Sequence, residues 1–341
     1  MRNIVTPHGS FAGVRGFLSP LTWTASRLWD RAARARARMP YAHRTSVPVI
    51  SVGNLQVGGT GKTPMALWLM GLLRDHYGRR PVLLSRGYGR ATRGTWQVPA
   101  DGHARDYGDE PVLVARAGHS VIVGRSRAES ARMAVEQLGA DVLVLDDGLQ
   151  QRDLAVDLQL VLWDGTRAGS DACMPYGCLR APLDTLSTTD LLILRRDAAD
   201  PAPIQPRMDL QCLEAGYADL QVLDSRGARV APQGPVLLAA GVGNPERLAR
   251  SLPRAGIELA AVVALVDHSP WDAEEVARVA AALKQCGARA VLITAKDAVK
   301  RADWDTLLPM PVYVVHSTFG PRDQVDHQLL ARHLERLWPT R

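Results

Sequence analysis

Lys62 and Thr63 close the glycine-rich string GNLQVGGTGKT, residues 53–63, and a lysine followed by a hydroxyl residue in that place does phosphate chemistry. Gly58, Gly59 and Gly61 admit a phosphate without a Cβ clash and let backbone N–H groups converge on it. Lys62 then reaches the β- and γ-phosphates, and Thr63 brings a hydroxyl to Mg²⁺. The match to G-x-x-x-x-G-K-[ST] is incomplete, because Gln56 stands where the first Gly belongs. A turn that binds nothing is the competing reading; the strand expected before the loop and the amphipathic run after it argue against it. Lysine is also scarce. The chain has four Lys among 41 basic residues, so a Lys at position 62 is not generic charge.

A second constellation is Asp146 and Asp147, which follow the apolar run VLVL at 142–145. Four apolar residues ending in Asp are the Walker B arrangement, in which a carboxylate at a strand tip holds Mg²⁺ directly or through water. Two further loops present polar side chains. SRGYG at 85–89 sets Arg86 and Tyr88 where α/β sheets bind ligands, although these residues taken alone favour a structural turn; the loop 173–183 carries Arg180 toward the same edge. Asp109, within YGDEP, reads locally as a helix-capping residue ahead of an apolar helix at 112–116.

These residues need elements to position them. Val47, Val49, Ile50 and Val52 are β-branched and form a short buried strand that delivers the loop, and a helix starts near Lys62 to receive it. Strands are expected again at 81–84, 121–123, 142–145, 158–163 and 191–194, with a helix at 125–138. That alternation predicts a P-loop NTPase-like three-layer α/β/α core. A Pro-, Ala- and Asp-rich stretch at 197–206 then marks a linker, and a second αβ series follows. Its strands are expected at 236–240, 261–266, 290–293 and 312–315, and its helices near 246–254, 272–286 and 323–337, giving a second, smaller α/β lobe. The expected division is an N-terminal segment 1–45, a core 46–200 and a second lobe 201–341.

In the N-terminal segment, residues 11–18 are apolar and a helix is expected over 20–38. At 3.6 residues per turn, Leu21, Ala25, Leu28, Trp29 and Ala32 share one side and Arg27, Arg31, Arg34 and Arg38 the other. Such a basic amphipathic helix, with Trp23 and Trp29, suits an anionic bilayer surface. It equally describes a surface helix with its Ala/Leu stripe on a core and its Arg residues solvated.

At 341 residues and 46% hydrophobic, the chain is long enough for two domains. Four Cys with no C-x-x-C pair suggest neither zinc nor disulfides, which fits a reducing cytosol. There is no transmembrane-length apolar run and no signal peptide. A net charge of +6 allows nucleic acid, anionic lipid or a phosphate-rich ligand, but no nucleic-acid-binding motif is present, so no nucleic acid partner is expected.

Taken together, GNLQVGGTGKTP, SRGYGR, YGDEP, DDGLQ, GVGNP, VDHSPW and TAKDAVK resemble the tetraacyldisaccharide 4′-kinase family, the lipid A 4′-kinases of Gram-negative bacteria. The motifs fall in the family's order across roughly residues 45–300. The resemblance implies transfer of the ATP γ-phosphate to the 4′-hydroxyl of a tetraacylated glucosamine disaccharide 1-phosphate, with Mg²⁺, at the cytoplasmic face of the inner membrane. It implies a peripheral or monotopic attachment through the N-terminal helix and no obligate protein partner. Carried over by residue, Gly58, Gly59, Thr60, Gly61, Lys62 and Thr63 cradle ATP. Thr63, Asp146 and Asp147 serve Mg²⁺, Asp109 is the catalytic carboxylate with His268 as its partner, and Arg86, Tyr88 and Arg180 lie at the substrate headgroup. The TAKD turn of the second lobe is expected to contact the nucleotide as the lobes close.

The chain departs from the family pattern at Gln151 and Ser269, where the family has His, and at Ala181, where an acidic residue is usual. A non-transferring P-loop ATPase switch acting on a membrane partner is the alternative. It calls for a Lys two residues before the GTGK core, where this chain has Val57.

Overall fold

The computed structural model describes residues 4–5, 19–165, 172–197, 200, 205–206 and 208–338. The apolar run 11–18 and most of the 197–206 stretch lie outside these.

The strands are β1 (Ile4–Val5), β2 (Val49–Asn54), β3 (Pro81–Ser85), β4 (Trp96–Gln97), β5 (Ser120–Val123), β6 (Val142–Asp146), β7 (Leu158–Trp163), β8 (Leu191–Arg195), β9 (Cys212–Leu223), β10 (Val236–Ala240), β11 (Leu259–Ala264), β12 (Ala290–Thr294) and β13 (Val312–Pro321). The helices are α1 (Ser19–Ala37), α2 (Lys62–Asp75), α3 (Ala104–Tyr107), α4 (Asp109–Arg116), α5 (Arg127–Leu138), α6 (Pro245–Ser251), α7 (Ala273–Cys286), α8 (Ala295–Ala298), α9 (Trp304–Leu307) and α10 (Gln324–Glu335).

All the strands join one sheet, ordered β1-β11-β10-β12-β13-β9-β8-β7-β2-β6-β3-β5-β4. In the first set β8, β7, β2, β6, β3 and β5 are parallel, which requires apolar residues on both faces. Val49, Leu143 and Leu145 pack on one face with Ala131 and Ala134 of α5. Ile50, Val52, Val142 and Val144 pack on the other with Met65, Leu69 and Leu73 of α2 and Leu330 of α10. The second set, β1, β11, β10, β12 and β13, is also parallel and sandwiched, with Val279 and Leu283 of α7 on one side and Leu248 of α6 on the other.

What joins the two sets decides where the site lies. β9 runs parallel to β8 and antiparallel to β13, so the second set runs opposite to the first. The end of β8 pairs Arg195 with Ala215, while the end of β12 pairs Thr294 with Val315, which in turn faces Val222. The carboxyl ends of both sets therefore point toward each other along the β9–β13 ribbon, separated by the Ala215-to-Val222 stretch, roughly 23 Å if fully extended. A register shift between His316 and Thr318 and a left-handed residue at Asp219 break the regularity of this ribbon. The result is a cleft lined by loops from both sets.

Helix α1 docks by an unexpected side. Ser26 Oγ donates to Cys173 O at 2.6 Å, Trp29 Nε1 donates to Arg180 O at 2.7 Å, and Arg34 pairs with Asp30 and Asp184. The Thr22, Ser26, Asp30, Ala33 side faces the protein, whereas Leu21 is 70% and Leu28 61% exposed, with Ala25 and Ala32 exposed beside them. An Ala/Leu stripe on the core is thus overturned: the stripe faces outward, flanked by the exposed Arg27 and Arg31.

Candidate active site

The nucleotide loop leaves β2 and turns on Gly58 (φ +103°) and Gly61 (φ +98°), both in the left-handed region open to glycine. Thr60 N–H donates to Gly58 O at 2.9 Å and α2 begins at Lys62. Lys62 Nζ donates to Asn54 Oδ1 at 3.0 Å and lies 4.0 Å from Asp147 Oδ1. Gln56, in the position of the missing first Gly, is buried: its amide accepts from Asp164 N–H at 2.7 Å and donates to Asp164 O at 3.1 Å, tying the loop to the tip of β7. From the second lobe the GVGNP loop comes so close that a Cβ on Gly243 would sit 2.5 Å from Gly59 N.

Asp146 and Asp147 stand at the tip of β6, next to this loop. Asp147 takes a left-handed backbone (φ +56°) and accepts from Arg180 Nη1 at 2.7 Å. Burial raises its carboxyl, but Lys62 and Arg180 outweigh that and hold it below the usual range. Asp146 behaves oppositely: burial, then the charges of Glu110 and Asp147, push its carboxyl up to about 7 against Lys62 and Arg127. Asp146 Oδ1 and Thr60 Oγ1 are buried without a hydrogen-bond partner among the described residues, and Thr63 is buried at the same loop. The unspent Asp146 oxygen suits a hard cation that draws its remaining ligands from phosphate and water; of the other oxygens expected on Mg²⁺, Thr63 lies at the same loop and Asp147 is paired with Arg180.

A second group of side chains meets across the cleft. Asp109 is the first residue of α4, following Gly108, whose backbone (φ +95°) packs against Gly87 so that YGDEP and RGYG form one surface. His268 comes from the loop after β11, with φ +63°. Its Nδ1 is 3.0 Å from both Asp109 oxygens and donates to them when it carries the proton; the Tyr88 ring lies 5.2 Å from the imidazole. Burial raises Asp109, but the His268 hydrogen bond and the charges of Lys296, His268 and Lys300 leave it below the usual carboxylate range. The Asp109 hydrogen bond raises His268, opposed by burial and Lys296.

Sequence reasoning missed the lysines of TAKDAVK. Lys296 Nζ contacts Glu110 Oε1 at 3.1 Å, Asp267 Oδ1 at 3.0 Å and His268 Nε2 at 3.4 Å, and it lies 3.9 Å from Asp109. Lys300 lies 4.0 Å from Asp109 and pairs with Asp297 at 2.8 Å. Asp297, fully buried, also accepts from Gly241 N–H, Trp271 Nε1 and Thr294 Oγ1, so it holds the second-lobe loops together. The TAKD turn, expected at the nucleotide, sets its lysine on the acids beside it. Two of the four lysines in the chain thus meet at Asp109, a signal the scarcity of lysine could have given.

The expected residues form two clusters, Lys62–Asp147–Arg180 and Asp109–His268–Tyr88, linked by Glu110, which contacts Lys296 and acts on Asp146. Arg86 is exposed and within electrostatic reach of Asp147 and Arg127. The departures are structural. Gln151 clamps Leu154 N–H and C=O, Ser269 Oγ bonds Glu275 at the start of α7, and Ala181 is buried with Leu55 and Leu179.

The family model for tetraacyldisaccharide-1-P 4′-kinase matches residues 14–334 of this chain. The chain belongs to that kinase family. Similar proteins named tetraacyldisaccharide 4′-kinase include one from Shewanella putrefaciens, 34% identical over 92% of this chain and 87% of that protein, and one from Rhodopseudomonas palustris, 38% identical over 87% and 88%. Among solved structures, the family member from Aquifex aeolicus described as in complex with ATP superposes with a TM-score of 0.74 at 26% identity, over 95% of this chain and 99% of that one. A family member of this kind is a phosphotransferase that uses a hydroxyl acceptor, and its fold is the large, mostly parallel α/β sheet seen here.

Proposed function

We propose that the chain transfers the γ-phosphate of ATP to the 4′-hydroxyl of a tetraacylated glucosamine disaccharide 1-phosphate, a step of lipid A assembly. The observation that carries this reading is the contact of His268 with Asp109 at 3.0 Å, beside a P-loop and a Walker-type Asp pair. Phosphoryl transfer to a sugar alcohol needs charge neutralisation at the phosphate and an acceptor for the hydroxyl proton. Lys62 and Arg180 supply positive charge, and Gly58 to Thr63 hold the phosphates. Asp109 takes the proton, and His268 fixes the carboxylate and keeps it ionised. Arg86 and Tyr88 meet the sugar headgroup. Mg²⁺, held by Thr63, Asp146 and Asp147, supplies further neutralisation of the phosphates. In this reading the first lobe, 46–200, and the second, 201–341, supply opposite walls of the site, with His268 and Lys296 of the second standing at Asp109 of the first.

No helix among the described residues is long and apolar enough to cross a membrane. We place the protein at the cytoplasmic face of the inner membrane through the outward stripe of α1. Leu21 and Leu28 enter the acyl boundary there while Arg27 and Arg31 meet anionic headgroups.

The test is incubation with γ-labelled ATP, Mg²⁺ and a detergent-dispersed lipid A disaccharide precursor. Label on the 4′-oxygen of the lipid is expected; label released only as inorganic phosphate contradicts the kinase reading and favours an ATPase switch.

A further inference from the structure

A chain of buried polar contacts leaves the nucleotide loop at one end and returns to it at the other, passing through the second lobe. It starts at Gln56, whose amide is paired with the backbone of Asp164. The Asp164 carboxylate receives both terminal nitrogens of Arg247, from α6, at 2.9 and 2.7 Å. Arg247 Nε lies 3.0 Å from Asp200 and 3.5 Å from Asp197. Asp197 accepts from Arg195 Nη2 at 2.9 Å and from Tyr217 N–H at 3.1 Å, and Arg195 Nη1 donates to Gly59 O at 2.5 Å. The side chains of Arg247 and Asp164 are 2% and 0% exposed.

Nothing in the phosphoryl transfer uses Asp164, Asp197, Arg195 or Arg247. Burying three carboxylates and two guanidiniums is costly unless each is paired, and a forked Arg–carboxylate contact tolerates little displacement. The fork between Arg247 and Asp164 therefore forms only while α6 is seated on the tip of β7. The same seating brings Gly243 against Gly59, where no side chain fits. At the far end, a Gly59 carbonyl engaged by a buried guanidinium is not free to turn its lone pairs toward a bound phosphate.

We propose that Arg247 and Arg195 are positioning residues which hold the nucleotide loop in its binding shape when α6 is docked, so that nucleotide affinity and engagement of the second lobe are one coupled equilibrium. Linkage makes the coupling reciprocal: bound nucleotide tightens α6 as docked α6 tightens nucleotide. The departure at Gln56 is part of the device, since a glycine there would have no amide to join the loop to Asp164.

The inference rests on the nucleotide-binding part of the kinase reading, and its test needs no lipid. Affinity for a non-hydrolysable ATP analogue with Mg²⁺ is measured by calorimetry on the full chain, on Arg247→Met and on Arg247→Lys, with thermal unfolding alongside. Arg247→Met is expected to lose about tenfold or more in affinity, and Arg247→Lys, which keeps the charge without the fork, about three- to tenfold. In turnover the loss falls on KM for ATP more than on kcat. A folded Arg247→Met that binds the analogue within about threefold of the parent overturns the proposal, whatever its melting temperature; if that variant does not fold, Arg247→Lys within about twofold does so. A parent protein that binds the analogue but leaves the lipid unlabelled counts against the kinase reading alone.

Discussion

His268 Nδ1 lies 3.0 Å from both carboxylate oxygens of Asp109, although the two residues are 159 positions apart, one opening α4 and the other in the loop after β11, in opposed parallel sets. The contact holds a partly buried histidine in a left-handed backbone, a conformation that costs free energy and persists only where its surroundings over-determine it. Here those surroundings are Lys296 on the far side of the ring, Tyr88 beside it, and the loop scaffold built on Asp297.

Replacing His268 by Asn removes the imidazolium charge that helps lower Asp109, while the burial that raises it remains. The acid limb of kcat/KM is expected to move to higher pH, with a rate loss on the order of 10–100-fold near neutrality. Stability gives a second sign. Because the folded value of His268 is raised, its contribution is fully present below its unfolded pKa near 6.5 and is lost as pH rises through the folded value. The melting temperature of His268→Asn should therefore trail the parent more at pH 6 than at pH 9. A pH–rate profile with an unmoved acid limb argues against the pairing.

Burial and the neighbouring carboxylates of Glu110 and Asp147 push the Asp146 carboxyl up to about 7. Below that value Mg²⁺ must displace a proton to bind, so metal-dependent stabilisation should grow as pH rises through about 7 and then level off. Thermal unfolding with and without Mg²⁺ and nucleotide, from pH 6 to pH 8.5, checks this. Asp146→Asn should flatten the curve; a metal effect independent of pH in the parent contradicts the assignment.

Lys296 joins Glu110 of the first lobe to Asp267 of the second and faces His268 Nε2. Lys296→Met leaves these acids unneutralised and removes a charge that lowers Asp109. Expected is a fall in kcat of about 10²-fold with a smaller change in KM for ATP. Lys284→Met on the exposed face of α7 should keep parental rates. Equal rates for Lys296→Met and Lys284→Met count against a role at the site.

The outward stripe of α1 predicts that Leu21→Glu with Leu28→Glu abolishes sedimentation with anionic vesicles while shifting stability by no more than about 0.5 kcal/mol, since both side chains are exposed. Undiminished sedimentation of the double variant rules out this face as the lipid contact.

Much of this was legible in the chain itself, where periodicity and local chemistry coincide. The buried β2 and β6 end in the P-loop and the Asp pair, and the strands of the second lobe fall where apolar runs meet loop residues. The ribbon strand β9 was not, because CLEAGYADLQVL is partly exposed, interrupted by Gly216 and bent at Asp219, so no period of two survives. Periodicity also gives the apolar side of α1 without saying which side docks; Ser26 decides that through Cys173, 147 positions away. Lys296 and Arg247 escaped for the same reason, since their partners Glu110 and Asp164 lie on the other lobe.

The central claim is that Asp109 takes the proton of the sugar hydroxyl while the P-loop grips the nucleotide independently of it. The most direct measurement compares label transfer from γ-labelled ATP to the lipid disaccharide by the parent and by Asp109→Ala, with nucleotide affinity measured on the same samples. The account predicts transfer reduced by about 10²–10⁴-fold with affinity for ATP within about threefold of the parent. Full transfer by Asp109→Ala contradicts it.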